Sequence, residues 1–234
     1  LTGSTPDVAY KQGTTPRPLF TAATGQPITT KPVVARNTSV SPSTSTEPNI
    51  LVFFGTGQYL VTADVTSTTQ QSFYGIWDHG TRSLTRSNLI QQTVTTTGNL
   101  RTMSDTPVTY SNSVHGWYFN LPATREREIT NPQLRGDVVM FNTAIPDGDP
   151  CLGGGSSWFM AVNYLTGGDN AEVQFDVNND GVNELYYVGS DKDGEGKGHV
   201  FAISNITDVS QVTAASIVDI MIYPTHPNNT TTRA

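Results

Sequence analysis

One hairpin is written into this chain three times, and any fold must accommodate all the copies. Leu51-Val52-Phe53-Phe54-Gly55-Thr56 aligns without gaps on Val138-Val139-Met140-Phe141-Asn142-Thr143, and both resemble Leu185-Tyr186-Tyr187-Val188-Gly189-Ser190. After a polar stretch each copy is followed by a second apolar run, at residues 72 to 78, 157 to 163 and 199 to 204. Two copies are also preceded by Ile-Thr and a proline, Ile28-Thr29 with Pro32 and Ile129-Thr130 with Pro132, which announces a further strand. Short aromatic and β-branched runs bounded by turn residues are strand signals. The last two copies lie about one four-stranded propeller blade apart and the first two about twice that, the spacing of radial repeats with one enlarged or intervening blade. We therefore expect an all-β chain whose hairpins belong to successive blades of a β-propeller. An antiparallel sandwich, whose hairpins also look alike, is the alternative.

The third copy is entered through the most chemically specific motif in the chain, D-x-N-x-D-G-x-x-E at residues 176 to 184. Asp176, Asn178 and Asp180 place oxygen-bearing side chains on alternate residues, Gly181 permits a sharp bend, and Glu184 returns a carboxylate from the far side. Ca²⁺ takes about six to eight oxygens, and the Val182 carbonyl and water can complete such a set. An EF-hand would need a Glu at the twelfth loop position and flanking helices, whereas Tyr187 stands there among β-formers. The competing reading is a metal-free DG turn whose Asp and Asn side chains bond their own backbone. Asp191-Lys192-Asp193-Gly194-Glu195 is a second acidic turn, too short and too interrupted by lysine to make a site alone.

The formal charge of -7 and pI near 4.9 argue against a nucleic-acid partner, because phosphate binding needs clustered Lys and Arg. No apolar run in these residues reaches the length of a membrane span, and their first residues do not read as a signal peptide, which says little when the start is missing. Abundant Thr, Ser and Gly with few charges suit an exported β-protein. A few blades' worth of sequence with no starting Met leads us to expect one domain over residues 1 to 234, the C-terminal portion of a propeller from a longer polypeptide. The single cysteine, Cys151, sits in a DPCLGGG loop, and none of the four histidines, His79, His115, His199 and His226, can be paired with it from sequence, so a loop role is preferred to a nucleophile.

Residues 38 to 49 are Ser-, Thr- and Pro-rich and are expected as an exposed loop, and 224 to 234 as a loose tail. Pro18-Leu19-Phe20 is an apolar cluster, strands are expected at 89 to 95, 116 to 121 and 214 to 223, and Arg125-Glu126-Arg127-Glu128 reads as a solvated edge. Trp77, Trp117 and Trp158 fall inside strand patterns and are expected in the core. N-x-S/T matches at Asn37, Asn205, Asn228 and Asn229 are the chance yield of a Thr- and Ser-rich chain.

Gly55-Thr56-Gly57-Gln58-Tyr59-Leu60, then Asp64, then Gln71 to Asp78, followed in order by GWYFNLP at 116 to 122, ITNP at 129 to 132, Asp149-Pro150-Cys151, GGSSW at 154 to 158 and LTGG at 165 to 168, resembles the signature block of the PilY/PilC-type tip-associated adhesins of bacterial type IV pili. The likeness covers roughly residues 19 to 185, and the ordered run of motifs is more specific than any one of them. It implies a modified quinoprotein-like β-propeller and a non-enzymatic, calcium-binding protein of the cell surface and pilus tip. Such a protein primes pilus assembly with minor pilins, opposes retraction in twitching motility and attaches the tip to a host or abiotic surface. The family's calcium motif carries onto Asp176, Asn178, Asp180 and Glu184, with Glu where Asp is commoner at the last position. Beyond Glu184 the chain departs from the family pattern and resembles an integrin-type FG-GAP calcium repeat equally well. A secreted integrin-like propeller binding glycan or matrix is therefore the chief rival. A quinone-dependent enzyme is a distant third, since no acid, base and nucleophile converge in the sequence.

Overall fold

The computed structural model describes residues 11–41, 48–98, 100–146 and 155–169 and the backbone of 185–188, the side chains of 12 and 100 aside. In chain order the strands are β1 (Lys11–Gln12), β2 (Thr15–Pro16), β3 (Val33–Arg36), β4 (Ile50–Gly55), β5 (Ser72–Asp78), β6 (Ile90–Gln91), β7 (Val94–Thr97), β8 (Leu100–Met103), β9 (Gly116–Asn120), β10 (Arg127–Glu128), β11 (Gln133–Arg135), β12 (Val138–Pro146), β13 (Gly155–Asn163) and β14 (Leu185–Val188). Two short 3-10 turns, Thr62–Thr66 and Arg86–Asn88, are the helical elements among the described residues.

The strands form two principal sheets. One runs β3-β4-β5-β9-β6 and the other β10-β12-β13-β14-β8-β7, with β11 also paired to β12. The two hairpins that align without gaps therefore lie in different sheets. The third copy differs from the expectation: β14 pairs with β13 through Ser157↔Val188 and Trp158↔Tyr187, so it extends the second copy's sheet instead of opening one of its own. Apolar repeats specify a strand but not its neighbour, and backbone pairing is what assigns it to a blade. Among the described residues the sheets do not close on one another, as expected of a partial set of propeller blades.

Alternation along β4, β5 and β9 gives the first sheet two apolar faces. Leu51, Phe53, Phe73, Trp77, Trp117 and Phe119 meet Val139, Phe141, Met160 and Val162 of the second sheet in one core. Phe73 and Phe141 stack across the gap at 3.9 Å with an interplanar angle of 5°. On the opposite face Phe54, Tyr74 and Ile76 are covered by Leu84 and Leu89, with Leu19 and Phe20 packed against them. The 18 to 21 segment is fastened there by Leu84 N–H to Leu19 C=O and Thr21 N–H to Leu84 C=O.

Trp117 joins the two sheets. Gly75 lies opposite it in the register, and a Cβ on Gly75 would stand 2.4 Å from the indole, while one on Gly167 would stand 2.1 Å from the other part of the ring. Two residues without side chains thus make a slot for the largest one. The indole N–H donates to the Tyr164 carbonyl at 3.2 Å in the turn after β13. Trp77, Trp117 and Trp158 are all buried, as expected.

Three other local readings change. The strand expected over 89 to 95 is broken into β6 and β7, because Gln92 turns inward and donates to the Thr106 and Thr166 carbonyls. The 38 to 49 segment is anchored at its end: Asn49 is buried and accepts the Trp77 indole N–H at 2.7 Å. The 125 to 128 charge run is not a solvated edge, for Glu126, Arg127 and Glu128 are all buried.

Candidate functional site

The calcium set Asp176, Asn178, Asp180, Val182 and Glu184 lies outside the described residues, as do Cys151, the 191 to 195 turn, the 199 to 204 and 214 to 223 runs and the 224 to 234 tail. The structure describes the strand that the motif enters: β14 begins directly after Glu184 and is held between β13 and β8. The donor set of three carboxylates, one carboxamide and one carbonyl is all oxygen, which fits a hard cation. Among the described residues no group of three or more His, Cys, Asp or Glu is placed to hold a metal.

The described polar chemistry is concentrated on the crossover between β9 and β12. Glu126 and Arg101 form a bidentate pair, with Arg101 Nη1 to Oε1 at 2.6 Å and Nη2 to Oε2 at 2.7 Å, both side chains almost wholly buried. The fork geometry matches the carboxylate, and the Ala123 N–H adds a third donor to Oε2. The guanidinium carbon also lies 3.9 Å over the Trp158 ring. This charge pair is therefore fully enclosed by partners.

Arg127 points its donors to backbone oxygens. Nη1 donates to the Gln58 and Asp64 carbonyls at 2.9 and 2.6 Å, Nη2 to the Ser67 carbonyl at 3.1 Å, and Nε to the Arg125 carbonyl at 3.0 Å. Gly57, at φ +137°, leaves room for it, since a Cβ there would stand 2.4 Å from Arg127 Cβ. The turn that Arg127 gathers is closed from within by Asp64, whose Oδ2 accepts the Leu60 and Val61 N–H groups at 2.8 and 2.9 Å and whose Oδ1 accepts Gln58 Nε2 at 2.8 Å. The Gln58 hydrogen bond and then the two amides hold the Asp64 carboxyl below its ordinary pKa. GTGQYL followed by Asp64 in the sequence is thus a hydrogen-bonded turn clamped from the second sheet.

Glu128 has no exposed surface, and its carboxyl sits against Gly55. Oε2 accepts the Thr30 hydroxyl at 2.9 Å, while Oε1 has no partner among the described residues. Burial raises its pKa to about 8, against smaller opposing contributions from Thr30 and the Gly55 backbone. Burial thus favours the protonated carboxyl over the carboxylate at neutral pH. Beside it the Asp64 turn and Arg127, with Gln26, Gln71, Gly25 and Ser67, border an open cleft of about 430 Å³.

The other singled-out residues are structural. His79 stacks on Trp77 at 3.9 Å and on His115 at 4.7 Å, and burial lowers the pKa of His115. Asn37 is fully buried, so its N-x-S/T match is closed to glycosylation. Asn205, Asn228 and Asn229 fall outside the described residues. Among the described residues no helix is long and apolar enough to cross a membrane.

Comparison with known proteins agrees with this architecture. Residues 8–106 match the family model described as PilY1 beta-propeller domain. The type IV pilus biogenesis factor PilY1 of Pseudomonas aeruginosa strain PAO1 is 32% identical over 198 residues, covering 71% of this chain and 16% of that protein. A PilY1 homolog of Xylella fastidiosa strain Temecula1 is 34% identical over 178 residues, covering 70% of this chain and 14% of the relative. The chain thus spans about a sixth of the length of these relatives. The crystal structure of the P. aeruginosa PilY1 C-terminal domain superposes with a TM-score of 0.60 at 26% identity, covering 77% of this chain and 42% of that one.

Proposed function

This chain carries PilY1-type β-propeller sequence, and from that premise we propose that it acts in type IV pilus biogenesis as a non-enzymatic surface protein. The single observation behind the reading is agreement of the ordered motifs, the PilY1 propeller match and the fold of the C-terminal domain. Its work is done by contact at the pilus tip, with minor pilins during assembly and with a surface during attachment and twitching. The described residues suit such a role: Arg127 and Glu128 are engaged across the two sheets and Arg101 with Glu126 on the second, and no acid, base and nucleophile converge among them.

The Asp176, Asn178, Asp180, Val182 and Glu184 set would hold one Ca²⁺, which would offset two of the three negative charges that its carboxylates bring to the nine residues before β14. Its role is structural. Those residues lead directly into a strand that lies between β13 and β8, so occupancy would stabilise the folded chain by mass action, about 2.7 kcal/mol at one hundred times the dissociation constant.

Two measurements test this reading. Deleting the gene should abolish surface pili and twitching, with recovery on complementation; unchanged piliation would overturn the pilus role. Thermal melts of wild type and Asp180→Ala, each with calcium and with chelator, should show a calcium-dependent rise in wild type alone. A wild-type melt indifferent to chelator removes the site, and an equal response in the variant moves the ion elsewhere, the 191 to 195 turn first.

A further inference from the structure

The entry to β9 is held by two histidines whose buried nitrogens are not all used. The His79 ring lies flat on the Trp77 indole at 3.9 Å and 9°, and the His115 ring stands 4.7 Å from it at 28°. His115 is 1% exposed. Its Nε2–H donates to the Asn112 carbonyl at 3.0 Å, which leaves Nδ1 as a bare acceptor, buried and without a partner among the described residues. His79 Nδ1 is buried and unpartnered in the same way. The His115 backbone ties separate elements together: its N–H donates to the Asn88 carbonyl in the turn before β6, and its carbonyl accepts the Trp77 N–H of β5, each at 2.8 Å.

A proton added to His115 Nδ1 would find no acceptor and would place a cation in an enclosed space beside a second imidazole. No carboxylate among the described residues hydrogen-bonds either ring. The end of β5 and the turn after it bring Asp78 and Arg82, but these are paired with each other at 2.6 Å. The Arg86–Asn88 turn brings Arg86, whose donors go to Tyr74, Gln26 and Ser72. The 110 to 115 segment brings Tyr110, whose hydroxyl donates to the Leu165 carbonyl and whose pKa is raised by burial. Burial is the main cause holding the His115 pKa below 6.5, opposed by the Asn112 hydrogen bond and reinforced by His79. A folded pKa below the unfolded one means a contribution to stability that is complete above about pH 6.5 and is lost as pH falls below it.

We propose that His115 and His79 form an acid-sensitive latch at the entry to β9, shut while both rings are neutral and released when His115 takes a proton. A charged ring must reach water, and residues 110 to 115 move with it because His115 is bonded to Asn112 within that short segment. Its departure breaks the backbone ties to Asn88 and Trp77 and withdraws Tyr110, which packs edge-on to the Trp77 indole at 5.5 Å. The result is a local opening that bares Trp77, with the paired strands of both sheets left in place. The chain thereby carries an aromatic patch whose exposure follows the acidity of the medium. The latch rests on neither the pilus reading nor the calcium motif.

The test is hydrogen exchange read by mass spectrometry on the whole chain, from about pH 7.5 to about pH 5, with labelling times scaled for the intrinsic exchange rate. Peptides covering residues 110 to 115 should lose protection by up to about tenfold per pH unit below about pH 6.5, the slope of one proton, while β4 and β5 keep theirs. A local readout is needed because Glu128 titrates with the opposite sign. His115→Gln keeps an N–H donor for the Asn112 carbonyl but cannot be charged, and should remove the pH dependence. His79→Phe keeps a ring on Trp77 and should leave the acid release in place. Protection of 110 to 115 that is indifferent to pH in wild type, an equal acid loss in His115→Gln, or a loss shared evenly by β4 and β5 would each overturn the latch. Abolition of the release by His79→Phe would overturn the assignment of the proton to His115. Were His115→Gln not to fold, the wild-type profile and His79→Phe still decide.

Discussion

The two sheets are joined in two places by opposite chemistry. At the centre, Phe73, Phe141, Trp117 and Phe119 stack in a dry aromatic layer. At the side, the crossover carrying Glu126, Arg127 and Glu128 inserts three charged or acidic groups, all buried. An aromatic layer is tolerant, since its energy is spread over many weak contacts and a shortened ring forfeits only part of them. A buried polar seam is intolerant, because removing one partner leaves the other dehydrated and unpaired. The first joint spreads its energy over many contacts, and the second concentrates it in a few hydrogen-bonded groups.

The largest effect is expected at the Arg101 to Glu126 pair, which holds the crossover to β8 of the second sheet. Arg101→Met should cost about 3 to 5 kcal/mol in urea unfolding, because it strands a buried carboxylate, and the double variant with Glu126→Leu should recover most of the loss. A single-variant cost near that of a surface pair, below about 1 kcal/mol, would mean the seam carries no more than ordinary salt bridges do.

Glu128 sets a pH dependence of known sign. Its folded pKa of about 8 stands above the ordinary 4.5, so between these values the folded state holds a proton that the unfolded state has released. Stability is therefore complete below about pH 4.5 and falls as pH rises towards 8, by an amount on the order of a few kcal/mol. Glu128→Gln should flatten that slope and be the more stable protein at pH 9, read by guanidinium unfolding across pH. A parallel slope in the variant would assign the titration to another group.

Gly75→Ala probes the aromatic joint where it is least tolerant. The added methyl would stand 2.4 Å from the Trp117 indole, which Gly167 prevents from moving away, and overpacking of this kind costs about 1 to 3 kcal/mol. Phe141→Leu should be mildest, about 1 kcal/mol, since it loses the stack on Phe73 but keeps most of the buried area. If Phe141→Leu cost more than Arg101→Met, the ranking of the two joints would be reversed.

Much of the first sheet was legible in the chain. The runs at 50 to 55 and 72 to 78 have enough apolar and aromatic residues to bury both faces, so strand identity and core membership follow from side-chain chemistry alone. The three tryptophans were legible for the same reason. The solvated edge expected at 125 to 128 was not there, because alternating charge is the pattern of exposure unless a distant partner neutralises it. Arg101 and the carbonyls of Gln58, Asp64 and Ser67 are such partners, brought in from 25 to 69 residues away. The GTGQYL stretch showed its glycines but not that Arg127 would need the space above Gly57.

Residue type and near-neighbour spacing are enough to make the chain all-β, to mark which strands are apolar enough to be buried, and to place an oxygen-only motif at 176 to 184. Long-range packing settled which strands share a sheet, that the third repeat joins the second, that Arg101, Glu126 and Arg127 could be taken out of water, and that a polar cleft opens between the two sheets. Those outcomes depend on pairings between residues far apart in the chain, and pairing energy belongs to the contact, so no single stretch records it.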